Sequence, residues 1–135
     1  KETAQRILDA AEDVKATTVG IEAGALKNAI MPYMEDLMRS KNRWINITDT
    51  RHGGRKKQDR IVWALQGRME HGQITFNPDR DWRDFKSQLL DFPNHLAHDD
   101  LLDALSYIDQ VSVADFAHSI ELDDEWSPID NVAGY

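Results

Sequence analysis

Residues 2–16 place Ile7, Leu8, Ala11 and Val14 at helical spacing, with Glu2, Arg6, Asp9, Glu12 and Asp13 mostly on the other side, which predicts an amphipathic helix. The β-branched run Thr17-Thr18-Val19-Gly20-Ile21 follows and ends at Glu22 and the small pair Ala23-Gly24. It predicts a buried strand whose carboxyl end presents a carboxylate. A second helix is predicted from about Leu26 to Ser40, with Ile30, Tyr33, Met34, Leu37 and Met38 inward; Pro32 within it must open the helix or kink it. Arg43–Thr48 alternates apolar and polar residues over a strand's length, and His52-Gly53-Gly54 then supplies a flexible loop. Strand, helix, strand is the signature of a parallel crossover.

Further on, Gln58–Gly67 carries Ile61, Val62, Ala64 and Leu65 as a helix, and Gly72–Phe76 predicts a short strand closed by Asn77-Pro78. Asp81–Asp91 is helical in pattern, with Trp82, Phe85, Leu89 and Leu90 at core spacing, and Pro93 ends it. The last strong helix is predicted from about Asp99 to Phe116, with Leu101, Leu105, Ile108 and Val111 or Ser112 on one face and Leu102 widening the stripe. After His118 the periodicity fades. One domain over 1–118 is expected, followed by an acidic tail over 119–135 that is ordered only where Trp126, Ile129 and Tyr135 dock.

Composition narrows the class. The 135 residues include no cysteine, which excludes a disulfide scaffold, a thiolate zinc site and a Cys nucleophile. Apolar stretches are too short to span a bilayer and the polar start Lys1-Glu2-Thr3 is no signal peptide, so a soluble intracellular protein without a membrane partner is expected. The net charge of −8 hides an uneven spread. All 16 Lys and Arg residues precede Asp91, while 91–135 contains acids and no Lys or Arg. Between Lys41 and Arg60 the bases Lys41, Arg43, Arg51, Arg55, Lys56, Lys57 and Arg60 face only Asp49 and Asp59, a candidate phosphate-contacting patch.

The stretch richest in chemistry is His98-Asp99-Asp100-Leu101-Leu102-Asp103-Ala104-Leu105. Three carboxylates fall at a helix start, with Asp99 and Asp103 one turn apart and Asp100 and Asp103 also neighbours. Capping and the helix dipole explain one of them. Three exceed that need, and a hard divalent cation with oxygen ligands would relieve their repulsion. Glu22 lies just past a predicted buried strand, where open α/β sheets bind ligands, although a carboxylate before a helix N-terminus has a structural use as well. If strand and last helix are adjacent, Glu22 and Asp100 would share one cation or flank two, the arrangement that activates water in phosphodiester cleavage. No phosphate-binding GxxxxGK[ST] loop, GxSxG, HExxH or EF-hand pattern occurs. Of the five histidines only His98 adjoins the acids, and Trp44, Trp63 and Trp82 occupy core-like positions, which favours packing over base stacking.

The order of Val19-Gly20-Ile21-Glu22-Ala23-Gly24, then Arg55-Lys56-Lys57-Gln58-Asp59-Arg60-Ile61, then Glu70-His71-Gly72-Gln73-Ile74-Thr75-Phe76, then Gln88-Leu89-Leu90-Asp91-Phe92-Pro93, then the Asp99–Leu105 run resembles the nuclease domain of tailed-bacteriophage large terminase subunits over residues 1–110. The Asp-Asp…Asp-Ala-Leu run is the most specific part. The resemblance implies an α/β, RNase H-like (integrase-like) fold, a mixed sheet flanked by helices. It implies a Mg²⁺- or Mn²⁺-dependent endonuclease, with a two-metal site, cutting concatemeric double-stranded DNA during genome packaging in the host cytoplasm. A terminase motor domain, the small terminase subunit and the portal would be its partners. Matched by position, Glu22 and Asp100 are the principal metal-binding acids, with Asp99 and Asp103 accompanying them. Arg51, Arg55, Lys56, Lys57 and Arg60 would contact phosphates. The family's further Asp, on the first strand of its sheet, has no counterpart here, because the chain starts at what corresponds to the helix after the first three strands. Asp49, at the end of its strand, is the one in-chain substitute to propose, and a loop residue without that role is the favoured reading. The rival expectation is a non-catalytic module that binds DNA or docks on a packaging partner.

Overall fold

Ala4, Leu8 and Ala11 recur at i, i+4, i+7, and that stripe is buried in the first helix, α1 (Glu2–Asp13). The computed structural model describes residues 1–94 and 97–125, with 117–125 as backbone alone. Strand β1 (Thr18–Glu22), helix α2 (Ala25–Ser40) and strand β2 (Asn46–Thr50) then form the expected parallel crossover. Helix α2 buries Ile30, Met34 and Met38 against α1 and Ile45. It continues through Pro32, which lies well inside it and cannot donate to the Asn28 carbonyl. Tyr33, expected inward, is exposed, as is Val14, which caps α1 rather than lining it.

Beyond β2 come α3 (Lys57–Glu70), α4 (Arg83–Asp91), α5 (Asp100–Leu105) and α6 (Ile108–Glu125). The chain divides into two compact units, one of Lys1–Thr50 with the chain from Gln110 onward, the other of Arg51–Asp109. The described residues are therefore mixed α/β, with one two-stranded parallel sheet.

In the first unit the register pairs Thr18 with Asn46 and Glu22 with Thr50. Strand alternation puts Val19, Ile21, Ile47 and Asp49 on one face and Thr18, Gly20, Glu22, Thr48 and Thr50 on the other. Val19 and Ile47 pack on the α1–α2 core. The second face is covered by α6: Asp115 accepts hydrogen bonds from the hydroxyls of Thr17 (2.9 Å) and Thr18 (2.6 Å), and Val111 lies over Gly20. Since Thr18 meets Asp115 and Gly20 meets Val111, α6 runs antiparallel to β1, and the Glu22 end of the strand points toward the start of α6. The approach is close enough that glycine is required. A Cβ at Gly20 would stand 2.5 Å from Val111 Cγ2 and 2.8 Å from Thr50 Cγ2.

In the second unit Ile61, Ala64 and Leu65 of α3 pack with Phe85 of α4 and Leu102 of α5, which is 0% exposed. Several expectations give way here. Gly72–Phe76 pairs with no strand among the described residues. Gly72 (φ 66°) ends α3 in a left-handed turn, in which Gln73 N–H donates to the Arg68 carbonyl at 2.8 Å. Ile74 then joins the core, and Phe76 packs against Trp82 and Phe85 with ring centroids 5.2 and 5.5 Å away. The single helix expected over Asp99–Phe116 breaks at Ser106-Tyr107, where the Ser106 hydroxyl donates to the Asp103 carbonyl at 2.6 Å and Tyr107 turns inward. Leu102, not Leu101, is the buried leucine of α5, and Leu89, Leu90, Trp44 and Trp63 are exposed. Strand β2 starts at Asn46 rather than Arg43, because the turn after α2 uses Asn42 (φ 47°) and a bond from Arg43 N–H to the Met38 carbonyl at 3.0 Å. Helix α6 continues through Glu121–Glu125, part of the expected tail. Trp126, Ile129 and Tyr135, expected to dock, lie outside the described residues.

Gly20→Ala is expected to lower stability by about 1–3 kcal/mol, the range for overpacking a filled site. Adding Val111→Ala should recover part of that loss. Urea unfolding of both variants checks this, and a Gly20→Ala chain as stable as the parent would contradict the close approach.

Candidate functional site

Helix α5 is short because its boundaries are set from outside. Asp99 occupies the N-cap position, yet its side chain makes no capping bond. The orphan N–H of Leu101 is taken up by Gln88 Oε1 of α4 at 2.9 Å instead. That frees the Asp99 carboxylate to meet Lys57 Nζ at 2.6 Å. Lys57 also lies 3.5 Å from Asp103 and 3.8 Å from Asp100. Asp103 makes a short ion pair with Arg60, whose Nε donates to Ser106 Oγ at 3.2 Å and whose guanidinium lies 4.8 Å from the centroid of the Tyr107 ring.

This cluster assigns the acids different surroundings. The hydrogen bond to Asp99, opposed by desolvation and reinforced by the charges of Asp103 and Asp99, raises the Lys57 pKa above its usual value, so Lys57 stays cationic at neutral pH. Asp103 and Arg60 are 23% and 12% exposed along their side chains. Asp100 keeps 80% of its side chain in water. The repulsion that suggested a divalent cation is thus relieved by two protein cations, and Lys57 and Arg60, expected on phosphates, are engaged by carboxylates. The spacing carried the signal: Lys57 and Arg60 at i, i+3 on α3 match Asp99 and Asp103 at i, i+4 on α5.

The remaining candidates separate likewise. Arg51, Arg55, Lys56 and His98 are exposed. Lys56 is the N-cap residue of α3 and, with Lys57, Gln58, Ala97 and Asp99, lines a polar cavity of about 410 Å³. The Arg55 guanidinium lies 5.6 Å from the centroid of the Trp63 ring, a contact the sequence reading missed. Glu22 is exposed at the carboxyl end of β1, and its backbone pairs with Thr50. Asp49 belongs to the opposite sheet face from Glu22 and makes a short ion pair with Lys27 of α2, so it does not stand in for the absent family Asp beside Glu22. Glu22 lies in the first unit and Asp100 in the second. Among the described residues no three His, Asp or Glu side chains form a group that could hold a metal ion, and at the start of α5 Asp99 and Asp103 are ion-paired.

Compared with family models, curated proteins and solved structures, the chain gives no match.

Arg60→Ala and Asp103→Ala are each expected to cost about 2 kcal/mol, below the 3–5 kcal/mol for breaking a fully buried pair because this one keeps some contact with water. The double variant should lose clearly less than the sum. Chemical denaturation of the four proteins completes the cycle, and strictly additive losses would show that the pair does not couple α3 to α5.

Proposed function

We propose that the chain is part of a divalent-metal-dependent DNA endonuclease, the reading implied by its resemblance to the nuclease domain of large terminase subunits on an RNase H-like fold. The observation that carries it is the division of labour at α5. Lys57 and Arg60 neutralise Asp99 and Asp103, and Asp100 alone among the three keeps its carboxylate in water at the head of the helix. A positioned acid with a solvent-facing carboxylate, held by neutralised neighbours, suits a group that must accept a hard cation without its neighbours repelling one another. Two features of the first unit support the reading. Helix α6 lies antiparallel across β1, and Glu22 is on the helix-covered face at the strand's carboxyl end.

In this reading Glu22 and Asp100 are the metal-binding acids, while Asp99 and Asp103 position α5 through Lys57 and Arg60. Glu22 and Asp100 would hold Mg²⁺ or Mn²⁺, which would supply an activated water and charge stabilisation for the leaving oxygen. The chain's own residues supply the rest: Arg55 and Lys56, exposed before and at the N-terminus of α3, hold phosphates. Double-stranded viral DNA is the substrate, and the motor domain, small terminase subunit and portal are the partners that the same resemblance implies.

A phosphate-binding module without catalysis is the second reading, favoured by the exposure of Arg55 and Lys56. The two diverge on simple handling. Cutting needs the cation and stops with EDTA, whereas phosphate binding ignores EDTA and weakens with salt at a log–log slope of about −0.9 per phosphate neutralised.

Asp100→Ala should leave α5 in place, since Gln88 takes up the Leu101 N–H and Asp99 and Asp103 hold α3. Its Mn²⁺-dependent nicking of supercoiled plasmid should fall to background, and its calorimetric Mn²⁺ signal should fall with it. A folded variant that nicks at the parental rate, or a parent chain with no Mn²⁺ signal, refutes the assignment.

A further inference from the structure

Trp63 is 78% exposed, although an indole is among the most favourable side chains to bury. Its place on α3 explains the exposure. Ile61, Ala64 and Leu65 already complete the buried stripe, and at 100° per residue Trp63 lies on the far side from both Ile61 and Leu65. The Arg55 guanidinium lies 5.6 Å from the centroid of its ring. Lys56, exposed and next in sequence to Arg55, adds a second cation at the head of the same helix. Lys57 and Arg60 are taken up by Asp99 and Asp103, so Arg55 and Lys56 are the bases of α3's leading edge that keep facing water. A flat, exposed π face beside the Arg55 guanidinium, on a helix headed by the exposed Lys56, fits a ligand that is itself flat and anionic.

We propose that Trp63 and Arg55 form a stacking platform for an unpaired nucleobase, with Lys56 on the adjoining phosphate. The ring surface turned from Arg55 takes the base, and the guanidinium enriches the stack by cation–π contact. In a duplex, neighbouring bases cover both faces of each base, so the platform selects single-stranded or frayed nucleic acid over blunt duplex. The inference rests on the nucleic-acid reading above and adds to its duplex substrate a contact with bases that are frayed or unpaired. It needs no metal, so it can be tested apart from cutting.

The test is fluorescence anisotropy with the 135-residue chain in EDTA, using a labelled oligothymidylate and a labelled blunt duplex at one fixed salt concentration. Trp63→Ala is expected to weaken oligothymidylate binding roughly ten-fold, within the range measured for losing one base stack. Trp63→Phe should keep most of the affinity, and the duplex should respond less than two-fold to either change. Because Trp63 lies off the core, both variants should fold, which circular dichroism confirms. Oligothymidylate binding that Trp63→Ala leaves unchanged, equal losses on both ligands, or a parent chain that binds no oligothymidylate would each overturn the platform. Mn²⁺-dependent nicking, scored separately, stands or falls on Asp100 and is untouched by these outcomes.

Discussion

The salt cluster between α3 and α5 governs the second unit. Lys57 and Arg60 project from one side of α3, Asp99 and Asp103 from one side of α5, and Leu102 lies between them in the apolar core with Ile61 and Leu65. Each side of this contact needs the other. Without the bases, three acids within five residues would repel; without the acids, Arg60 would be a largely buried cation with only Ser106 and the Tyr107 ring for company. Charge pairing and hydrophobic packing thus fix the same rotation of α5, and that rotation turns Asp100 outward.

The first unit is organised by close approach instead. A glycine in the middle of β1 lets Val111 of α6 settle on the sheet, and Asp115 bonds to Thr17 and Thr18 one turn further on. With α1 and α2 on the other face, the two strands are covered on both sides. That arrangement accounts for the β-branched character of β1, and it leaves the carboxyl end, with Glu22, as the exposed part of the strand.

Local pattern made much of this legible. Helix α1 with Leu8 and Ala11 inward, the crossover through α2 and the position of Glu22 all follow from periodicity, because each depends on residues near in sequence. What escaped the sequence depends on partners far away. Gly72–Phe76 has a strand's composition, but a strand requires a neighbour, and Phe76 found an aromatic cluster with Trp82 and Phe85 instead. The break at Ser106 comes from a hydroxyl competing for a helix carbonyl and from a tyrosine drawn beneath Arg60. Trp63 misled for a different reason. Hydrophobicity suggested burial, while its angle relative to Ile61 and Leu65 had already excluded it. The acids at α5 were found as a group, but their unequal surroundings follow from Lys57 and Arg60, whose spacing was read as a phosphate patch.

Helix α5 has six residues and takes its first hydrogen-bond acceptor from Gln88, a side chain on α4. A helix of under two turns does not persist in water unaided. The fan of carboxylates around Asp100 is therefore a property of assembled tertiary structure and has no existence in the isolated segment. Loosening α4 at a distance would scatter those oxygens as effectively as deleting one of them.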